Sequence, residues 1–420
     1  MLVMTVREWK AFLKRFDGFV RSTCWAPRNP KFFWVGNRLG VWCMTKEHQD
    51  LETETWTQEQ TWAQFSVDGV MCDYKPIAQF TKTLKPESNK EPVLWSWDGK
   101  NIRLSTRAQE MTVPGQRLSQ LERRELNKLP GIDVPEVPKE VWVRASRIQK
   151  RLAHWGQVTK KKLIYDHELH AKVGDGKFTL EGAGLHACFQ YKTHTPCQRR
   201  VGFTFHQDHA AGVAQALGKL KASTWVLDYQ DKAAALVEAG NAVARVWGIK
   251  DKLSPPYPNL DQVIPASHSY HIGIELKADS LLDVLARATK GQKAGKVYFQ
   301  FRLGKVEELT NCLWESKSGL EYTIQAQDGT VQTVDELLTP VNVWIDKDRC
   351  PVSNGEDVPT PVFDAHLLYI LLREFKGEGI VMQWRAERPP TENKAVCWKP
   401  VRMELSDDTS WVLCQMPYFQ

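Results

Sequence analysis

No stretch of the chain approaches the ~18–20 consecutive apolar residues that a membrane-spanning helix needs, so no such helix is expected. The first residues, Met1 to Phe19, alternate charges with aromatics and lack the apolar centre of a signal peptide, and a cytoplasmic chain is expected. The nine cysteines include no CxxC pair. That excludes zinc-ribbon and disulfide-scaffold designs and fits reduced thiols. Catalytic signatures are missing too: there is no GxGxxG, no GxSxG and no HExxH. Gly291 to Val297 reads GQKAGKV, one residue short of a phosphate-binding loop and ending in valine where magnesium would need a hydroxyl. Three HxxH pairs, His167/His170, His206/His209 and His268/His271, lack a third ligand nearby. The first is expected within a strand, where positions i and i+3 face opposite sides. No metal, no cofactor and no enzymatic activity are expected.

Apolar residues at 42% and charged residues at 25% describe a globular chain. Its 420 residues exceed one core and predict several domains. Helical periodicity falls near 7–17, 75–85, 144–155, 207–220, 278–290 and 364–376. Runs rich in Val, Phe, Trp and Leu lie between them, broken by turns such as Asp98-Gly99 and Asp175-Gly176. The odd-numbered helices start roughly 137 and then 134 residues apart, and the first two even-numbered ones roughly 132. The spacing predicts three copies of one unit, each with two helices packed on antiparallel sheets: 1–134, 135–266 and 267–420, the last with an insertion near 328–360. Proline-rich stretches at 130–138 and 255–258 read as linkers, the first extended by a charged segment over 115–129.

The helices carry their charge on one side. In the first, Trp9, Phe12, Leu13 and Phe16 oppose Arg7, Lys10, Lys14 and Arg15. In the second, Ile77, Phe80 and Leu84 oppose Lys75 and Lys82. In the third, Ile148, Leu152 and Trp155 oppose Arg147, Lys150 and Arg151, and the sixth shows Arg373 and Lys376. The six spans hold sixteen basic residues against seven acidic, a surplus of nine. The whole chain carries +6, so the remainder is net −3. Exposed helix faces are charged in any soluble protein, but that does not explain a sign bias between the helices and the rest. The bias predicts a polyanion partner held by its backbone rather than by its bases. No aromatic ladder interleaves with the cations, so single-strand stacking is not expected.

Three stretches give the chain a resemblance to the bacterial DNA polymerase sliding clamp, the β-clamp family. Tyr257-Pro-Asn-Leu-Asp-Gln-Val-Ile-Pro265 resembles the family's [FY]-P-x-[YL]-x-x-[VL]-[IL]-P segment. Leu180-Glu-Gly-Ala-Gly-Leu185 is similar to its T-D-G-x-R-L turn. Val412-Leu-Cys-Gln-Met-Pro417, preceded by Lys399-Pro-Val-Arg-Met-Glu404, resembles its closing strands. The resemblance covers essentially the whole chain and implies an α+β DNA-clamp fold of three similar domains. It implies a head-to-tail homodimer that closes a ring around double-stranded DNA without reading sequence. It also implies that DNA polymerase and clamp loader dock through short linear motifs in a cleft between the second and third domains.

Carried over by position, the cleft comprises Leu163, Leu180, Gly182, Leu185, Pro258, Val263, His366, Pro400, Cys414, Met416 and Pro417. The DNA contacts comprise the helix-face cations together with Arg28, Gln157 and the run Lys160, Lys161 and Lys162. The chain departs from the family in four places. It is basic overall; Leu180-Glu181 and Ala183-Gly184 replace the usual residues of the cleft turn; it ends Tyr418-Phe-Gln420; and Lys290-Gly291 stands where the family's dimer seam is apolar, although Met111 and Val113 keep the facing strand. The expected function is a processivity factor for DNA replication. Alternatives are a DNA-bound scaffold for repair or recombination and, in another class, a DNA-modifying enzyme such as a nuclease.

Overall fold

A computed structural model describes residues 4–11, 13–14, 31–35, 38–44, 52–58, 69–85, 89–120, 137–161, 165–195, 201–206, 223–229, 232–239, 242–250, 257–304, 320–326, 331–333, 338–346, 348–353, 355–389, 394–397 and 399–417. The expected helix at 207–220, Arg28, Lys162, Leu163 and the last three residues lie outside the described residues. The chain divides into two compact units. Unit one takes in Met1–Ser146, His170–Phe178 and His194–Pro256, and unit two Arg147–Leu169, Thr179–Thr193 and Tyr257–Gln420.

Unit one is antiparallel throughout its recorded pairings. Lys31–Val35 pairs with Arg38–Met44 on one side and Val70–Asp73 on the other. Arg38–Met44 continues to Glu52–Gln58 and then Ala242–Lys250, while Val70–Asp73 continues to Glu110–Arg117. Helix α1 (helical residues 6–11 and 13–14) and helix α2 (Tyr74–Thr83) close one side of the core. Trp9 is fully buried, lies 5.0 Å from Trp95 ring to ring, and donates its indole N–H to Thr81 Oγ1 at 2.9 Å. That bond satisfies the polar end of a large apolar side chain and sets α1 against α2. Pro76 is tolerated because it falls in the first turn of α2, where its missing N–H has no helical partner to lose.

Helix α3 spans Lys139–Val158, starting five residues before the periodicity predicts. Pro138 stands immediately ahead of it and accepts the N–H of Val141 at 3.0 Å. A proline read as part of a linker thus directly precedes the helix, and its carbonyl accepts an N–H of the opening turn.

Unit two is built on a sheet in the order Ala187–His194, Trp411–Gln415, Val401–Leu405, Gly379–Trp384, Ile272–Lys277, Pro340–Ile345. A second sheet places Val297–Arg302 between Glu321–Ala326 and Val362–Asp364, with Val331–Thr333 beyond Glu321–Ala326. Helices α4 (Ala278–Thr289) and α5 (Ala365–Leu372) pack together, and Leu281, Leu285, Leu368 and Leu371 on them are buried. Asp364 caps α5, its Oδ1 accepting the N–H groups of His366 at 2.9 Å and Leu367 at 3.0 Å. Of the chain's seventeen tryptophans, Trp384 and Trp411 are core here, and Trp411 meets Phe189, Tyr191 and Phe375 at ring distances of 5.2–6.2 Å.

The first HxxH pair corrects the sequence reading. His167 lies in a turn and the strand begins at Glu168, so only His170 is in it. The Asp175-Gly176 turn is as expected, both residues at positive φ (52° and 70°), joining Glu168–Gly174 to Lys177–Ala183.

Candidate partner groove and basic helix faces

The end of helix α3 determines the groove of unit two. Lys161 N–H reaches Gly156 O at 2.9 Å and Lys160 N–H reaches Gln157 O at 3.2 Å, the paired bonds of a Schellman stop. Lys160 occupies the left-handed position of that motif, at φ 58°, where glycine is the favoured residue. From another part of unit two, the turn after α4 comes up against the same end. Gly295, at φ 75°, lies so close that a Cβ there would sit 3.3 Å from Thr159 Cγ2 and 3.8 Å from Asp364 Oδ2.

Between these segments lies a groove of about 800 Å³. Its floor is Trp155, Val158, Leu367, Met416 and Pro417, and its rim carries Lys160, Lys161, Lys293, Lys296 and His186. Met416 N–H donates to His186 O at 2.9 Å, holding the final segment beside the rim. His186 stacks edge-on with Trp155 at 6.1 Å, and burial, then Lys161, lower its pKa, so the ring favours its neutral form. Asp364 lies at the base. Burial raises its carboxyl pKa, partly offset by the cap bonds to α5.

In the same unit, Ala183, Cys188, Leu260, Ile264, Val412 and Cys414 form an apolar cluster against Tyr257. Gln149, fully buried, donates from Nε2 to Asp166 O and Ala183 O, each at 2.9 Å, and so ties α3 to two chain segments. Gln190 Nε2 donates to Glu181 Oε2 at 2.8 Å and to Asp261 Oδ1 at 3.1 Å, and Lys192 Nζ joins Asp261 at 2.8 Å.

The residues expected in the cleft divide three ways. Met416 and Pro417 line the groove. Leu185 and Val263 are exposed at 40% and 41%, and Pro258, His366 and Pro400 are partly exposed without lining it. Leu180, Gly182 and Cys414 are buried and do not line the groove: Leu180 is 0% and Cys414 2% exposed, and apart from Lys177 every residue of their strands is buried. A Cβ on Gly182 would fall 2.3 Å from Gln149 Oε1 and 2.5 Å from Phe189 Cε1, so that glycine serves packing. Sequence reasoning missed Trp155 and Leu367 as floor because they sit on the apolar faces of their helices. It missed Lys293 and Lys296 because the turn carrying them was weighed only as a phosphate loop.

The helix cations are placed as follows. In unit one, Lys10, Lys14 and Lys82 surround a hollow of about 200 Å³ between α1 and α2, with Leu13, Ala78 and Thr81. Lys10 Nζ donates to Leu84 O at 2.6 Å, a cation on the carbonyl end of α2. Arg7 and Lys75 are exposed. In unit two, Arg147 and Arg151 both meet Glu374, at 3.3 and 2.5 Å. Lys150 and Lys161 are exposed, Arg373 lies 5.8 Å from the Tyr369 ring centre, and Gln157 Nε2 is 3.1 Å from His167 Nε2.

No protein-family profile matches the chain, and no curated protein does. Solved structures do. The DNA polymerase III subunit beta from Pseudomonas aeruginosa matches with a TM-score of 0.67 and 12% identity, covering 100% of both chains. The DNA polymerase sliding clamp from Bacillus subtilis matches with a TM-score of 0.65 and 11% identity, covering 98% of this chain and 97% of that one. The DNA polymerase III beta chain from Streptococcus pneumoniae matches with a TM-score of 0.65 and 11% identity, covering 98% of each. At these identities the likeness establishes the fold: the chain has the architecture of DNA polymerase III beta chains from end to end.

Proposed function

We propose that the chain is a sliding clamp: a DNA polymerase processivity factor that encircles duplex DNA, acts without catalysis of its own, and tethers polymerase through the groove of unit two. The end-to-end likeness of fold to sliding clamps is the observation that carries this reading. The basic hollow of Lys10, Lys14 and Lys82 supports it, because cations from two helices converge there without any arrangement for reading bases. In this reading the chain comprises three domains, 1–134, 135–266 and 267–420, and two copies pair head to tail. Three domains per chain must double to give six, and a cyclic arrangement of like interfaces is what closes. A closed ring retains DNA by topology, so weak, salt-screened phosphate contacts suffice and still permit sliding.

The test is retention on DNA. The chain is loaded onto nicked circular duplex with a clamp loader, separated from free protein by gel filtration, and the DNA is then cut once. Sliding off after the cut, with retention before it, is the expected result. Equal retention on circular and linear DNA overturns encirclement. Solution scattering that shows only a monomer at micromolar concentration overturns the homodimer.

A further inference from the structure

The groove of unit two is apolar on its floor and cationic on its rim. We propose that its partner is an acidic peptide segment, whose apolar anchors enter the groove and whose flanking carboxylates meet Lys160, Lys161, Lys293 and Lys296. This deepens the docking role given to the groove above and rests on it.

Four lysines line the groove against one carboxylate, Asp364. That carboxylate is buried and already accepts the two N–H groups that begin α5, so it does little to offset the rim. Lys160, Lys161 and Lys293 are exposed, and among the described residues none of their ammonium groups forms an ion pair with a carboxylate. The chain also retains a lysine at a strained position. Lys160 adopts φ 58° at a helix stop where glycine would avoid the steric conflict of a Cβ. Gly295, with φ 75°, brings the turn carrying Lys293 and Lys296 against Thr159, so lysines about 130 residues apart in sequence share one rim. A phosphate backbone would meet the same lysines, but it has no use for a floor of Trp155, Val158, Leu367 and Met416. A peptide uses both floor and rim. Single exposed pairs contribute little, so selection comes from the four cations together and weakens with salt.

The test is fluorescence anisotropy on the full chain with three labelled hexapeptides. All carry the same Leu and Phe anchors, flanked by Glu, by Gln or by Lys. Expected is binding in the order acidic, neutral, basic, with the acidic form about tenfold tighter than the neutral one at about 50 mM salt and the gap closing at about 300 mM. Lys293→Glu with Lys296→Glu leaves two cations against two carboxylates on the rim and should abolish the preference for the acidic form. Lys160→Gly should reduce acidic-peptide affinity about threefold while leaving or raising the melting temperature, because glycine relieves the backbone. A purely structural role predicts a lower melting temperature with the peptide order intact, and that result removes Lys160 from the proposal. Equal binding of all three peptides, each weakened by Met416→Ala, overturns acidic selection while the groove remains a docking site. If no peptide binds, the docking role itself fails. If a duplex oligonucleotide binds through these lysines and no peptide preference exists, they serve phosphate and the proposal falls.

Discussion

Arg151 Nη1 lies 2.5 Å from Glu374 Oε1, and Arg147 Nη1 lies 3.3 Å from the other oxygen of the same carboxylate. Glu374 is 11% exposed and Arg151 27%, whereas Arg147 is 61% exposed. One carboxylate from the 3₁₀ turn Arg373–Phe375 therefore occupies two cations of α3 that the sequence assigns to an exposed basic face. Glu374→Gln should cost about 1–2 kcal/mol in a urea melt, since it leaves the half-buried Arg151 without its counter-charge. It should also release two cations. If α3 faces DNA, the variant binds duplex more tightly, and its salt dependence steepens by about one to two released counterions. Unchanged DNA binding with the expected loss of stability would mean that this stretch of α3 does not face DNA.

Glu168 gives a pH prediction. Burial pushes its carboxyl up to about 7. Between the ordinary carboxylate range and 7, the folded chain therefore holds a proton that the unfolded chain has released. Stability is complete below about pH 4, falls as pH rises toward 7, and levels off above it. Glu168→Gln keeps the shape and removes the titration. The variant should match the parent at pH 5 to within about 1 kcal/mol and exceed it by about 2 kcal/mol at pH 8. Denaturant melts at the two pH values measure the difference. A parent whose stability rises between pH 5 and 8 relative to the variant contradicts the buried, protonated carboxyl.

Gly182 tests the boundary between core and groove. Its Cβ would meet Gln149 and Phe189 well inside van der Waals contact. Gln149 cannot retreat without releasing the carbonyls of Asp166 and Ala183. Gly182→Ala should therefore destabilise the chain by about 1–3 kcal/mol, the usual cost of overpacking. Gly182→Ala together with Gln149→Ala should recover part of that loss. An additive double variant would mean that the two side chains do not compete for the same space.

What the sequence reveals here is local. Helical periodicity finds α2, α4 and α5 within a few residues, because their apolar faces are the same ones the core buries. Asp364 opens the last of these spans, and in the structure its carboxylate caps α5. The start of α3 is missed because Pro138 reads equally as a linker and as a helix start. The groove is harder, because it depends on which segments meet. Nothing local says that Lys293 comes to Lys160, and the positive φ of Lys160 follows from how α3 ends rather than from lysine's own preference. Of the three stretches that carry the motif resemblance, only the closing one has residues lining the groove, and burial on both faces decides which of its residues reach the surface. That is why Met416 lines the groove and Cys414, two residues earlier, does not.

Met416 and Leu180 then separate docking from packing. Met416 is 37% exposed on the groove floor, and its backbone is held to His186. Truncating it removes contact area that a bound peptide would cover and little that the folded chain needs. Met416→Ala should weaken binding of a polymerase-derived peptide about tenfold or more, with a stability change of no more than about 0.5–1 kcal/mol. Leu180 is fully buried, so Leu180→Ala removes methyl groups that the surrounding core cannot refill. It should cost about 2–5 kcal/mol of stability and leave peptide affinity unchanged under conditions where the chain remains folded. Melting temperature and peptide anisotropy measured on both variants give a crossed pattern, one losing affinity and the other stability. If Met416→Ala instead lowers the melting temperature and leaves affinity intact, Met416 is packing rather than a docking contact, and the groove loses the anchor that distinguishes it from an ordinary surface hollow.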